Sequence, residues 1–124
     1  MHPKEIAVTY VDGFVAAVPT AGKETYRAYA QLVGALFKEH GALSVVDCWG
    51  DDVPEGKLTS FTLAVKREEA ESVVFSWVTW PSREFRDQAW KTLMADPRMQ
   101  PGATPMPFDG KRMIYGGFEM ISSF

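Results

Sequence analysis

The chain has few of the residues from which small reactive sites are usually built. Its 124 residues hold one cysteine, Cys48, two histidines, His2 and His40, and no asparagine. A single thiol excludes an intramolecular disulfide and any multi-cysteine zinc site, and it agrees with a reducing compartment. No apolar run approaches the ~20 residues needed to span a bilayer, and residues 1–9 carry Glu5 and no hydrophobic stretch of the signal-peptide kind. The expected location is therefore the cytoplasm, with no membrane partner. An excess of positive charge is missing as well: 13 Lys and Arg stand against 16 Asp and Glu, net −3, with the signs interspersed. No basic stripe is available to follow a phosphate backbone, so nucleic acid is not an expected partner.

Rings are plentiful instead. Eight Phe, four Trp and four Tyr are many for one domain of this length. The expected organisation is a single domain over residues 1–124, with a frayed leader over 1–9 and the core over 10–121. So small a fold hides this many rings only by covering both faces of a sheet or by pairing with a second copy.

Periodicity supplies the elements. Tyr10–Val18, rich in β-branched and aromatic residues and stopped by Pro19, predicts a first strand. From Gly22 to His40 the apolar positions Tyr26, Tyr29, Ala30, Val33, Leu36 and Phe37 form one helical stripe, ended by Gly41. Leu43–Trp49 predicts a second strand and Asp51–Lys57 a loop, while Leu58–Val65 reads as an extended excursion or short edge strand. Ser72–Trp80 is the strongest strand signal, apolar on both faces: Val73, Phe75 and Trp77 on one, Val74, Val78 and Trp80 on the other. Ser82 is placed to cap a second helix with Phe85, Ala89, Trp90, Leu93 and Met94 inward and an Asp87–Lys91 pair outward. Arg98–Phe108 reads as a proline-rich loop, Asp109-Gly110 as a turn, and Arg112–Ile121 as the last strand. The order β-α-β, loop, β-α-β is the ferredoxin-like split βαβ pattern: an α+β fold with a four-stranded antiparallel sheet and two helices on one face. Two such sheets packed face to face about a two-fold axis would cover the second apolar face, so a homodimer is expected.

Several blocks of the chain carry a family resemblance: Tyr10-Val-Asp-Gly-Phe14, Cys48-Trp-Gly-Asp-Asp-Val-Pro54 with Gly56-Lys57, Phe75-Ser-Trp77, Trp80-Pro-Ser82, Met94 with Asp96-Pro-Arg-Met99, and Met106 to Glu119. In these the chain resembles the YbaA-like family, small bacterial proteins of unknown function in the dimeric α+β barrel superfamily. The resemblance implies the fold and the dimer, and brings no established catalytic residue. Asp47 stands where the family pattern leads one to expect Glu. The superfamily includes cofactor-free quinone-forming monooxygenases, haem-degrading monooxygenases and lactone isomerases, and a fold shared by so many chemistries decides none of them. Haem degradation would use Asn, Trp and His about the haem. With no Asn in the chain, and Arg83 and Arg86 but no His in the second helix, that chemistry is disfavoured and no cofactor is expected.

The candidate site residues are the polar side chains carried into apolar strands, where a carboxylate must be hydrogen-bonded, paired or shifted in pKa. Asp12 is the candidate base and Tyr115 the candidate oxygen-polarising group, with His40 a further acid–base candidate set against a structural role at its helix end. Trp77 and Trp80 would wall an apolar substrate cavity, and Asp47 and Arg112 would add polar contacts. The bland alternative pairs Asp12, Asp47, Tyr115 and Glu119 with Arg112, Lys111 or backbone groups. Loop carboxylates Asp51, Asp52 and Glu55 lack regular ligand spacing and read as turn residues, so no metal is expected. Cys48 in its strand reads as a small buried hydrophobe. The functional expectation is a homodimer holding an apolar or aromatic small molecule between sheet and helices, with cofactor-free monooxygenase- or isomerase-like chemistry implied by the superfamily. The alternative is a non-enzymatic interaction or stress-related module. An enclosed pocket lined by Asp12, Trp77 and Tyr115 would favour the first.

Overall fold

The computed structural model describes residues 9–100 and 102–124. All but the last residue of the expected leader lie outside that range. Four strands, β1 (Tyr10–Pro19), β2 (Ser44–Trp49), β3 (Glu71–Trp80) and β4 (Ile114–Glu119), form one antiparallel sheet in the order β2-β3-β1-β4. Helix α1 (Lys23–Glu39) joins β1 to β2, a single-turn helix α2 (Phe61–Ala64) lies between β2 and β3, and α3 (Arg83–Ala95) precedes β4. The α+β split βαβ architecture expected from the residue pattern is the one observed.

The sheet is anchored on its two long central strands. β1 and β3 pair without a break from Tyr10↔Trp80 to Pro19↔Glu71. Strict alternation then decides what each side chain faces. On one face Ala16, Val18, Val74, Val78 and Trp80 are buried beneath Tyr26, Leu36 and Phe37 of α1 and Ala89 and Leu93 of α3. On the other, Val15, Ala17 and Val73 pack with Val65, just past α2, and the ring of Phe61 of α2 lies 6.0 Å from that of Phe75. The rest of that second face is open, and Phe75, Ile114 and Phe118 remain 43%, 44% and 61% exposed.

Local chemistry accounts for the element ends. The Ser82 hydroxyl accepts the Phe85 N–H and caps α3, as expected. Gly41 follows α1 at φ 101°, the left-handed region that a residue with a Cβ resists, and an added Cβ would also run into the Phe85 ring.

Three local expectations are corrected. Leu58–Val65 contains the α2 turn, not an extended segment, because the Ser60 hydroxyl accepts the Leu63 N–H and Val65 is drawn into the core. The last strand begins at Ile114, since Gly110–Arg112 is wound into a 3-10 turn capped by the Asp109 carboxylate. Asp87 pairs with Arg86 at 2.7 Å and Arg83 at 3.7 Å, not with Lys91.

Candidate ligand cavity and its polar flanks

Asp12 sits mid-strand on the helix-covered face of β1, 4% exposed, opposite Val78 on one side and Gly117 on the other. Its carboxylate is saturated by donors. The indole N–H groups of Trp80 and Trp90 each reach Oδ2 at 2.9 Å, and Arg86 donates to Oδ1 from Nη2 at 2.8 Å and Nε at 3.1 Å. Arg86 also donates to Asp87 at 2.7 Å and lies 5.0 Å from the Tyr10 ring centroid. The Asp12 hydrogen bonds are the chief reason the Arg86 guanidinium is held above its ordinary pKa. Gly117 makes the approach feasible: a Cβ there would meet Arg86 Nη2 and Tyr10 Oη at 2.5 Å. Asp12 therefore ties β1 to β3 and α3 with no donor of its own and little room for another.

A second polar centre lies about an apolar cavity of 210 Å³ between the sheet and α1. Phe14, Ala16, Val74 and Val78 line it from the sheet, Tyr29, Val33 and Phe37 from α1, and Phe108 and Met113 from the segment before β4. Asp47 and Ser76, directly opposite one another in the β2–β3 register, supply its polar side together with Tyr26. The Tyr26 hydroxyl donates to Asp47 Oδ1 at 2.7 Å. Burial, and then the hydrogen bond to Asp47, push the Tyr26 phenol far above its usual pKa. Tyr29 is raised too, first by burial and then by the Asp47 charge. The second oxygen of Asp47 accepts no hydrogen bond from the described residues. Tyr26, Ala30, Gly34, Val45 and Asp47 also border a wider surface groove of 660 Å³ between α1 and the edge strand β2. Asp47 thus stands where cavity and groove meet.

The expected site residues are not brought to one place. Asp12 and Tyr115 border a separate recess of 510 Å³ with Phe14, Arg86, Trp90 and Met113. Trp77 borders the 210 Å³ cavity from its strand, but its ring packs on Phe75 at 5.4 Å on the opposite face. One pocket lined by Asp12, Trp77 and Tyr115 is thus not what the structure shows, because residue 12 and residue 77 face opposite sides of the pleat. Trp80 is fully buried and its ring packs near Phe37 and Phe85.

The remaining candidates lie further off. His40 joins α1 to α3, with Nε2 3.2 Å from Asp96 and Nδ1 3.3 Å from Thr92. Arg112 is fully engaged, forked onto Glu71 at 2.8 and 2.7 Å, onto Asp109 at 3.0 Å and onto the Lys66 carbonyl at 2.9 Å. The pairing of Asp12 or Asp47 with Arg112 or Lys111 is therefore replaced by pairing with Arg86 and Tyr26. Glu119 is exposed at the end of β4. Cys48 is exposed rather than buried, because β2 is an edge strand and residue 48 shares the open face with Phe75. Glu55 accepts from Arg67 and Thr62, and among the described residues no cluster of three or more His, Cys, Asp or Glu is placed to hold a metal ion. No helix of the described residues is long and apolar enough to cross a membrane.

Sequence reasoning missed Tyr26, Ser76, Arg86 and Trp90 as polar partners. For Tyr26 the signal was present: a hydroxyl within a helical stripe otherwise made of hydrocarbon needs an acceptor when it is buried.

The comparisons with known proteins agree with one another. Residues 9–110 match the family described as "Protein of unknown function (DUF1428)". The chain is 60% identical over 112 residues to "Uncharacterized protein YbaA" of Escherichia coli strain K12, covering 90% of this chain and 96% of that protein. The same identity and coverage hold for the protein of that name from Shigella flexneri. With a match over most of its length and this level of identity, the chain belongs to the DUF1428 family, whose function is unknown.

Proposed function

We propose that the protein is a homodimer in which each subunit holds a small, largely apolar molecule in the cavity between sheet and α1, with Asp47 and Tyr26 as its polar contact. The cavity carries this reading. Its 210 Å³ exceeds the ~150 Å³ that suffices for an apolar cavity to take up benzene, and its walls are rings and hydrocarbon with the polar groups on one side. Asp47 has an oxygen not already engaged, whereas both oxygens of Asp12 are bonded to Trp80, Trp90 and Arg86. Any proton transfer at this site falls to Asp47, with Tyr26 donating to its other oxygen, while Asp12 fixes the wall that contains Trp90. Tyr115 and Arg86 lie at the neighbouring recess and would contact only a ligand extending past Phe14.

The dimer rests on the open face of the sheet. Its central positions are Val11, Gly13, Val46, Cys48, Phe75, Trp77, Gly116 and Phe118, with no charged side chain among them. A second copy presents the same uncharged apolar surface, so two-fold pairing buries hydrocarbon on both sides without opposing like charges. Trp77→Lys is expected to shift the mass measured by light scattering from two subunits to one. An unchanged mass, or a monomeric parent protein, would remove the pairing.

Binding is tested with small aromatic probes, phenol, toluene and indole, followed by methyl NMR shifts. Shifts are expected at Val45, Val74, Val78 and Met113, and Ala30→Phe, which fills the cavity, abolishes them. No shift up to the solubility of any probe, or equal shifts in Ala30→Phe, would refute the reading.

A further inference from the structure

We propose that the ligand is an apolar hydroxy acid: its hydrocarbon body fills the cavity, its hydroxyl donates to Asp47, and its acid group lies in the outer groove against Lys23. The inference rests on the cavity reading above and adds the chemistry of the mouth.

Asp47 Oδ1 already accepts from Tyr26, and the oxygen beside it, on an exposed residue of the edge strand, is open to an O–H or N–H from a ligand that displaces water. Charge on the groove decides what else the ligand carries. In a chain of net charge −3, the groove beside β2 is lined by three cations, Lys23, Arg27 and Lys38, against the single carboxylate Asp47. Glu24 neutralises Arg27 at 3.0 Å. Among the described residues Lys23 and Lys38 have no carboxylate partner, and Lys38 gives one of its three N–H groups to the Leu43 carbonyl at 3.0 Å. Lys23 is the freer of the two. Its ammonium lies 5.8 Å from the Trp49 ring centroid, and that ring lies 6.1 Å from the ring of Tyr26, whose hydroxyl contacts Asp47. Asp47 and Trp49 are two residues apart on the same face of β2, a rise of about 6.6 Å along the strand. Hydroxyl acceptor and cation thus border one groove, as a ligand carrying a hydroxyl and an acid group on a short carbon chain would need. Two acid oxygens placed directly on Asp47 would be repelled, so the hydroxyl must precede the acid on the way out.

The test uses 3-hydroxy-3-phenylpropanoate and three relatives, measured by calorimetry and by Trp fluorescence: 3-phenylpropanoate without the hydroxyl, 1-phenylpropane-1,3-diol without the charge, and 3-amino-1-phenylpropan-1-ol with the charge reversed. Loss of a hydrogen bond to a charged acceptor is expected to weaken binding about ten-fold for 3-phenylpropanoate. Lys23→Gln, an exposed change, should weaken the hydroxy acid several-fold and leave the diol unchanged. Equal affinity of the hydroxy acid and 3-phenylpropanoate, or an amine that binds tighter than the acid, overturns the hydroxy-acid assignment while leaving the cavity reading intact, provided Ala30→Phe still abolishes binding. Failure of all four compounds to bind overturns the hydroxy-acid assignment, and the cavity reading falls with it only if phenol, toluene and indole also leave the cavity methyls unshifted.

Discussion

Replacing Asp12 tests how the helix-covered face is held together. In Asp12→Ala the guanidinium of Arg86, whose side chain is 21% exposed, loses its partner inside the fold, and the indole N–H of fully buried Trp80 loses its acceptor. Breaking a buried ion pair from one side costs about 3–5 kcal/mol, and partial exposure of Arg86 puts this case at the low end. An orphaned buried donor adds ~1–3 kcal/mol, though the two penalties overlap because both reflect one missing carboxylate. The expected loss is about 3–5 kcal/mol, and about 2–3 kcal/mol for Asp12→Asn, which keeps one acceptor oxygen. Urea unfolding followed by Trp fluorescence measures it, since Trp80 and Trp90 both report on the site. A double-mutant cycle with Arg86→Met separates the ion pair from the indole bonds. An Asp12→Asn loss below ~1 kcal/mol, or a coupling to Arg86 near zero, would refute the structural role assigned to this carboxylate.

Three further outcomes follow from other parts of the fold. Absorbance titration at alkaline pH should show Tyr26 and Tyr29 ionising well after an ordinary phenol. Their folded pKa values lie above the unfolded value of 10.0, so the stability they add is present below that pH and is lost as pH rises further. Asp47→Asn should bring Tyr26 only part of the way back, because burial is the larger cause. At the acid end, Glu71 and Asp109 are held below their ordinary values of 4.5 and 3.8, chiefly by hydrogen bonds from Arg112. The unfolded chain therefore binds protons first, and stability falls as pH drops below those values; Arg112→Gln should flatten that acid limb in a pH series of urea midpoints. Gly41→Ala should cost ~1–3 kcal/mol in the same assay, since the residue sits at φ 101° and the new Cβ meets the Phe85 ring.

The sequence by itself determined the elements and their order. Runs rich in β-branched and aromatic residues placed β1 and β3, a single apolar stripe placed α1, and Ser82 placed the start of α3, because these signals are local and come from backbone geometry. Family membership was legible as well, in blocks spread along the chain. α2 was not, since a one-turn helix has too few residues for a period to show and depends on a hydroxyl cap at Ser60. Only tertiary structure decided the chemistry of each polar residue. Asp12 and Asp47 look alike in sequence, each a carboxylate within an apolar strand. One lies on a central strand where Trp80, Trp90 and Arg86 converge, and the other lies on an edge strand with Tyr26 on one oxygen and open space beside the other. Strand order and the packing of α1 and α3 set that difference, and both depend on contacts 21 to 78 residues apart that no local pattern encodes.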